Sequence, residues 1–200
     1  TRFPTDVAGL VFVDATTPAG FREMPASMAA LDHHGAVQMA VFQAMIALGI
    51  PRMLDQCDRP PPGFEATADL WRADACKPAY VTAVRRELTA LPQSMAQVAR
   101  TTSFGDLPVL VVSKDPDLPR PAQLPLPVSA SDWHQGNAIH DASQQELADL
   151  STRSRRVIAK GSGHYIHFDR PHLLVREVGA FVQRVRSGNV ETGNHATVTE

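Results

Sequence analysis

A chain of 200 residues is long enough to close one domain around its own core and still carry an insertion. Its hydrophobic share of 44% and charged share of 20% are those of an ordinary globular chain. A net charge of -2 with no basic stretch excludes a surface built to neutralise a row of phosphates, so nucleic acid is not an expected partner.

Thr1 opens in mid-element, with no basic start and apolar core of a signal peptide, so the chain is expected to be either processed or missing its beginning, with targeting information in the missing part. The first strong element is the apolar run Leu10 to Val13, bounded by Gly9 and by Thr16-Thr17-Pro18. Its β-branched and aromatic content predicts a strand buried on both faces, as in a parallel sheet. Roughly ninety residues then read as helices, too many for a plain connection. Val37, Val41, Ala44, Met45 and Leu48 follow helical spacing, and Gly49 and Pro51 end that segment. The stretch from Val37 to Ile50 is apolar nearly all round but too short to span a bilayer, which predicts a buried helix. Pro60 to Gly63 is a break, and Val81, Val84, Leu88 and Leu91 mark a further helix. Residues 18–104 are therefore expected to form a helical cap inserted over the site. Cys57 and Cys76 allow at most one disulfide, and two free thiols are the expectation.

A second buried strand is predicted over Leu107 to Val112, followed by Asp115-Pro116-Asp117, and a proline-dense extended loop over 116–127. A polar helix is expected from about Ile139 to Leu150. A third strand, Arg156 to Ala159, ends in Gly161-Ser162-Gly163-His164. The last helix begins near Arg170, with Asp169 as its N-cap and Leu174, Val178, Phe181, Val182 and Val185 as its apolar stripe. The polar residues 187–200 are expected to be a disordered tail.

All three strands end in polar, Gly- or Pro-rich loops, and ligands of open α/β sheets sit beyond the carboxyl ends of the strands. There His164 is the candidate general base, because its Gly-rich turn lets the imidazole project free of the backbone. Such a base needs an orienting carboxylate on its other ring nitrogen. Asp115 and Asp117, on the neighbouring strand's loop, are the candidates, and Asp14, ending the first strand, is a third. No Gly-x-Ser-x-Gly elbow and no His-Gly-Gly oxyanion motif occurs. The pairs His164/His167, His33/His34 and His140/Asp141 match no zinc spacing, so neither a metal nor a cofactor is expected.

Three segments resemble the α/β-hydrolase family. Phe3-Pro4 through Val7-Ala8-Gly9-Leu10-Val11-Phe12-Val13-Asp14-Ala15 is similar to the segment after the nucleophile helix. Gly105-Asp106-Leu107-Pro108-Val109-Leu110-Val111-Val112-Ser113 is similar to the strand leading to the catalytic acid. Ser162-Gly163-His164-Tyr165-Ile166-His167-Phe168-Asp169-Arg170-Pro171 resembles the catalytic-histidine segment and is the most specific of the three. The resemblance covers most of 1–185. It implies the C-terminal part of that fold: about three parallel strands with flanking helices, a partial core over 1–17 and 105–186, and the cap over 18–104. It carries His164 over as catalytic base. Lys114 stands where the family has a glycine, which puts Asp117 in the acid position with Asp115 a close second. The implied activity is that of an esterase-like Ser-His-Asp hydrolase acting on a small hydrophobic substrate, most simply an ester. Met39, Phe42, Met45 and Ile46 of the cap would supply the apolar lining. The nucleophile and oxyanion hole would lie upstream of Thr1, leaving this chain inactive alone. The alternative is a non-catalytic binding module for an apolar ligand or partner chain. A third reading is a two-chain enzyme whose N-terminal half is a separate polypeptide.

Overall fold

The structure is a computed structural model that describes residues 6–58, 60, 65–74, 76–124, 126–189 and 196–199, with backbone only at 32, 33 and 196–198. Phe3-Pro4, the break over 61–63 and tail residues 190–195 lie outside the described residues. The chain divides into two compact units, 1–28 with 95–200, and 29–94.

The first unit is of the α/β class. Its strands are β1 (Leu10–Val13), β2 (Val109–Lys114), β3 (Ser154–Ala159) and β4 (Ala196–Thr199). They pair in parallel in the order β1-β2-β3-β4. Leu10 lies opposite Val109, and Val109 opposite Ser154. The helices of this unit begin with α1 (Pro18–Glu23). After the two long helices shared with the other unit come α6 (Ala130–Asp149), α7 (Ile166–Asp169) and α8 (Pro171–Ser187).

Strand periodicity splits the core into two layers. Leu110, Val112, Val157 and Ala159 pack on one face against Ile166, Leu173 and Phe181. Leu174, Val178 and Val185 of α8 complete that layer. Val109 and Val111 face the other way, onto Leu147 and Ala148 of α6, with Leu10, Phe12 and Phe104 beside them. β2 is therefore buried on both faces, as its continuous apolar run predicts.

β1 differs from expectation. Among the described residues it stands at one end of the sheet, and its residues alternate in exposure, with Val11 and Val13 each 36% exposed. A strand with one neighbour has less cover than one flanked on both sides.

The other differences are local. The compact helical unit is 29–94 rather than 18–104. α1 stays with the sheet because it packs on α6, and Phe104 stays because its ring stacks on Phe12 with centroids 6.0 Å apart. The polar helix starts at Ala130, where the Ser129 hydroxyl accepts the Asp132 N–H. Asp169 does not cap the last helix. It ends α7, and Arg170 precedes α8 without a side-chain cap. Residues 196–199 of the expected disordered tail form β4, where Thr197, Val198 and Thr199 supply β-branched residues to the ladder.

The unit over 29–94 is helical. It holds most of α2 (Ala26–Ala47), then α3 (Ile50–Met53), α4 (Ala68–Asp74) and most of α5 (Pro78–Val98). Cys57 and Cys76 are joined in a disulfide, correcting the expectation of free thiols. Both are buried and their Cα atoms are 5.7 Å apart, within the span a disulfide bridges. The expected buried helix is also corrected, since Val37, Val41 and Leu48 are exposed at 49%, 55% and 73%. Among the described residues no helix is long and apolar enough to cross a membrane.

Candidate active site

Parallel strands end at the same side of their sheet, and the candidate site is built there. Asp14 directly follows β1, whose last residue, Val13, pairs with Val112. The Asp14 N–H donates to the Val112 carbonyl at 2.7 Å, tying this residue to the end of β2. Asp14 has φ 45°, in the left-handed region that few non-glycine residues occupy. Such strain persists where surrounding contacts over-determine it, and it concentrates at functional sites. Here the carboxylate is 1% exposed and has three donors.

The turn after β3 carries His164. Gly161 has φ 74°, a conformation that favours glycine. Its N–H donates to Asp115 Oδ2 at 2.9 Å. The Asp115 N–H donates to the Ser162 carbonyl at 3.0 Å, and the Gly163 N–H to Asp169 Oδ2 at 2.7 Å. The turn is thus clamped from the loop after β2 on one side and from α7 on the other.

From that turn, His164 Nδ1–H donates to Asp14 Oδ2 at 2.7 Å. The side chain is 60% exposed, while the carboxylate it meets is buried. A proton fixed on Nδ1 leaves Nε2 of the neutral ring as an acceptor. The hydrogen bond to Asp14 raises the His164 pKa above its ordinary 6.5, against opposition from burial and from Lys114. Burial works to raise the Asp14 carboxyl. The hydrogen bonds from His140, His164 and the Lys114 backbone outweigh it and hold the group well below the usual carboxylate range.

The carboxylate that orients His164 is therefore Asp14, the third candidate from sequence. Asp115 and Asp117 do not fill that role. Both accept from Lys160 Nζ, at 3.0 and 2.6 Å. Asp115 also accepts N–H groups from Gly161 and Asp117, which outweigh the effect of its burial and lower its pKa. β2 runs beyond the residue paired with Val13, so its loop carries these two carboxylates to Lys160 at the end of β3. Asp115 shapes the turn that presents His164, and Asp117 lies on the surface with Lys160.

Sequence reasoning missed the part played by His140. From the middle of α6 its Nε2–H donates to Asp14 Oδ1 at 2.8 Å. Among the described residues no serine or cysteine is hydrogen-bonded to His164, and no group of three or more His, Cys, Asp or Glu side chains is arranged to hold a metal ion. Ser113 accepts from the buried guanidinium of Arg156, and Ser162 is tied to its own turn. Comparison with protein-family models, curated proteins and solved structures found no match to this chain.

Proposed function

We propose that this chain supplies the base and acid of an esterase-like Ser-His-Asp hydrolase, with His164 as general base and Asp14 as the carboxylate that orients it. The observation that carries this reading is the His164 Nδ1–Asp14 Oδ2 hydrogen bond, which leaves Nε2 on an exposed ring. A base in that tautomer accepts a proton from an attacking hydroxyl and returns it to the leaving group, and the buried carboxylate stabilises the imidazolium formed between the two steps. The resemblance of residues 162–171 to the catalytic-histidine segment of α/β-hydrolases, and the parallel α/β sheet, support the same reading. On this reading the nucleophile and the oxyanion donors are encoded upstream of Thr1. The substrate is a small hydrophobic ester.

The test is hydrolysis of p-nitrophenyl butyrate by the 200-residue chain alone and by the chain extended with its upstream coding sequence. The expected result is negligible turnover alone. The extended chain should turn over and lose about four orders of magnitude in kcat on His164→Ala or Asp14→Asn. Turnover that survives both substitutions would overturn the assignment.

One observation favours a binding module instead. A cavity of about 540 Å³ runs beside β1, lined by Leu10, Phe12, Phe104, Leu147 and Leu150, with Arg22 also in its lining. Its size and apolar walls fit a small hydrophobic ligand. Saturable binding of an apolar dye, unaffected by His164→Ala and accompanied by no turnover in the extended chain, would favour that alternative.

A further inference from the structure

Both oxygens of Asp14 accept hydrogen bonds, and two of the three donors are imidazoles. Oδ2 takes His164, while Oδ1 takes the Lys114 backbone N–H and His140 Nε2–H, each at 2.8 Å. His140 belongs to a polar face of α6 aimed at the ends of β1 and β2. One turn before it, the Asn137 carbonyl oxygen accepts from Lys114 Nζ at 3.1 Å. One turn after it, Gln144 Nε2 donates to the Ala15 carbonyl at 2.6 Å. Further along the same helix, Leu147 and Ala148 give the sheet ordinary apolar cover. The polar stretch carries a cost, because Asn137 Nδ2 and Gln144 Oε1 are buried with no hydrogen-bond partner among the described residues. Stability alone would place apolar residues there. A carboxyl group's terminal torsion is broad and nearly two-fold, so one backbone donor does not fix its plane.

We propose that His140 is a positioning residue: its Nε2–H holds Oδ1 of Asp14 from α6, so that Oδ2 stays in line with Nδ1 of His164. This rests on the proposed base and acid roles and adds a third side chain to that hydrogen-bonded pair. The charged groups around the cluster are Asp14 from the end of β1 and Lys114 from the end of β2. Asp141, the next residue on α6, is turned to Arg156.

The test follows the His164 ring N–H and its titration by NMR with ¹⁵N-labelled histidine. The variants are His140→Leu, which keeps bulk without a donor, His140→Ala, which removes both, and His140→Gln, which keeps a donor. In the leucine and alanine variants the His164 N–H should exchange with water about tenfold faster, the worth of one hydrogen bond to a charged group. The titration midpoint should fall back towards 6.5. The glutamine variant should behave as wild type. A merely space-filling His140 would be rescued by leucine and not by glutamine, and His164 behaviour unchanged in the leucine variant overturns the proposal. Asp14→Asn is the separate control. If His164 is unaffected by it, the acid assignment itself fails, whatever the His140 variants show.

Discussion

His164 Nδ1 donates to Asp14 Oδ2 across 2.7 Å, although the two residues follow β3 and β1, strands that β2 keeps apart. The bond spans the carboxyl end of β2, and the Lys114 N–H at that end donates to the same carboxylate.

The pH dependence follows from this pair. His164 is raised above 6.5, so it deprotonates above 6.5. The stabilisation it draws from Asp14 is fully present below 6.5 and is lost as pH rises through the folded midpoint. A general base must be neutral, so kcat/KM of the complete enzyme should climb with pH through a midpoint above 6.5. In Asp14→Asn only burial and Lys114 remain to act on the ring, and the NMR midpoint should move to 6.5 or lower.

Asp117→Asn should leave the His164 midpoint where it is, because that carboxylate meets Lys160 on the surface. Asp115→Asn should lower stability by roughly 1–2 kcal/mol, since it weakens the acceptor for the Gly161 N–H. Urea unfolding measures the second effect and histidine NMR the first. A fall in the His164 midpoint on Asp117→Asn would restore the acid assignment drawn from sequence.

Opening the Cys57–Cys76 disulfide, which closes a sequence separation of 19, should cost about 3 kcal/mol. The loss should appear as faster hydrogen exchange in the helices of 29–94, with β2 and β3 as protected as before. Reduction, or Cys57→Ala with Cys76→Ala, gives the comparison.

Two glycine substitutions should separate a rigid neighbour from a flexible one. A Cβ on Gly9 would sit 2.9 Å from Phe181 Cζ and 3.2 Å from the Pro108 carbonyl oxygen. Phe181 is fixed in the core, so Gly9→Ala should destabilise by about 1–3 kcal/mol. A Cβ on Gly136 would overlap the Met28 sulfur, but that thioether can swing aside. Replacing a mid-helix glycine gains about 1 kcal/mol in propensity, so Gly136→Ala should be close to neutral in thermal melting.

β1, β2 and β3 were legible because each carries a short apolar run, ended by Thr16-Thr17-Pro18, Asp115-Pro116-Asp117 and Gly161-Ser162-Gly163, whereas β4 lies in a polar stretch that reads as a tail. His164 was legible from its glycine-flanked turn. The acid was not, because a carboxylate after any of three parallel strands reaches the same end of the sheet. Only the parallel register shows that Asp14 lies beside β2's last paired positions while Asp115 is captured by Gly161 and Lys160. His140 left a fainter trace, the polar series Asn137, His140 and Gln144 at helical spacing. Nothing in one sequence says that this face turns inward. The disulfide was hidden for a similar reason, since two cysteines carry no record of the distance between them.

The register also orders assembly. Val109 pairs with Ser154 across one helix, whereas Leu10 must find Val109 across the whole helical unit, more than twice as much chain. Loop-closure entropy grows with that span, and contacts of long sequence separation slow folding. β2 and β3 should therefore zip together early, and β1 should join late, bringing Asp14 to an imidazole that is already waiting. The appearance of the His164–Asp14 bond would then serve as a clock for the final step of folding.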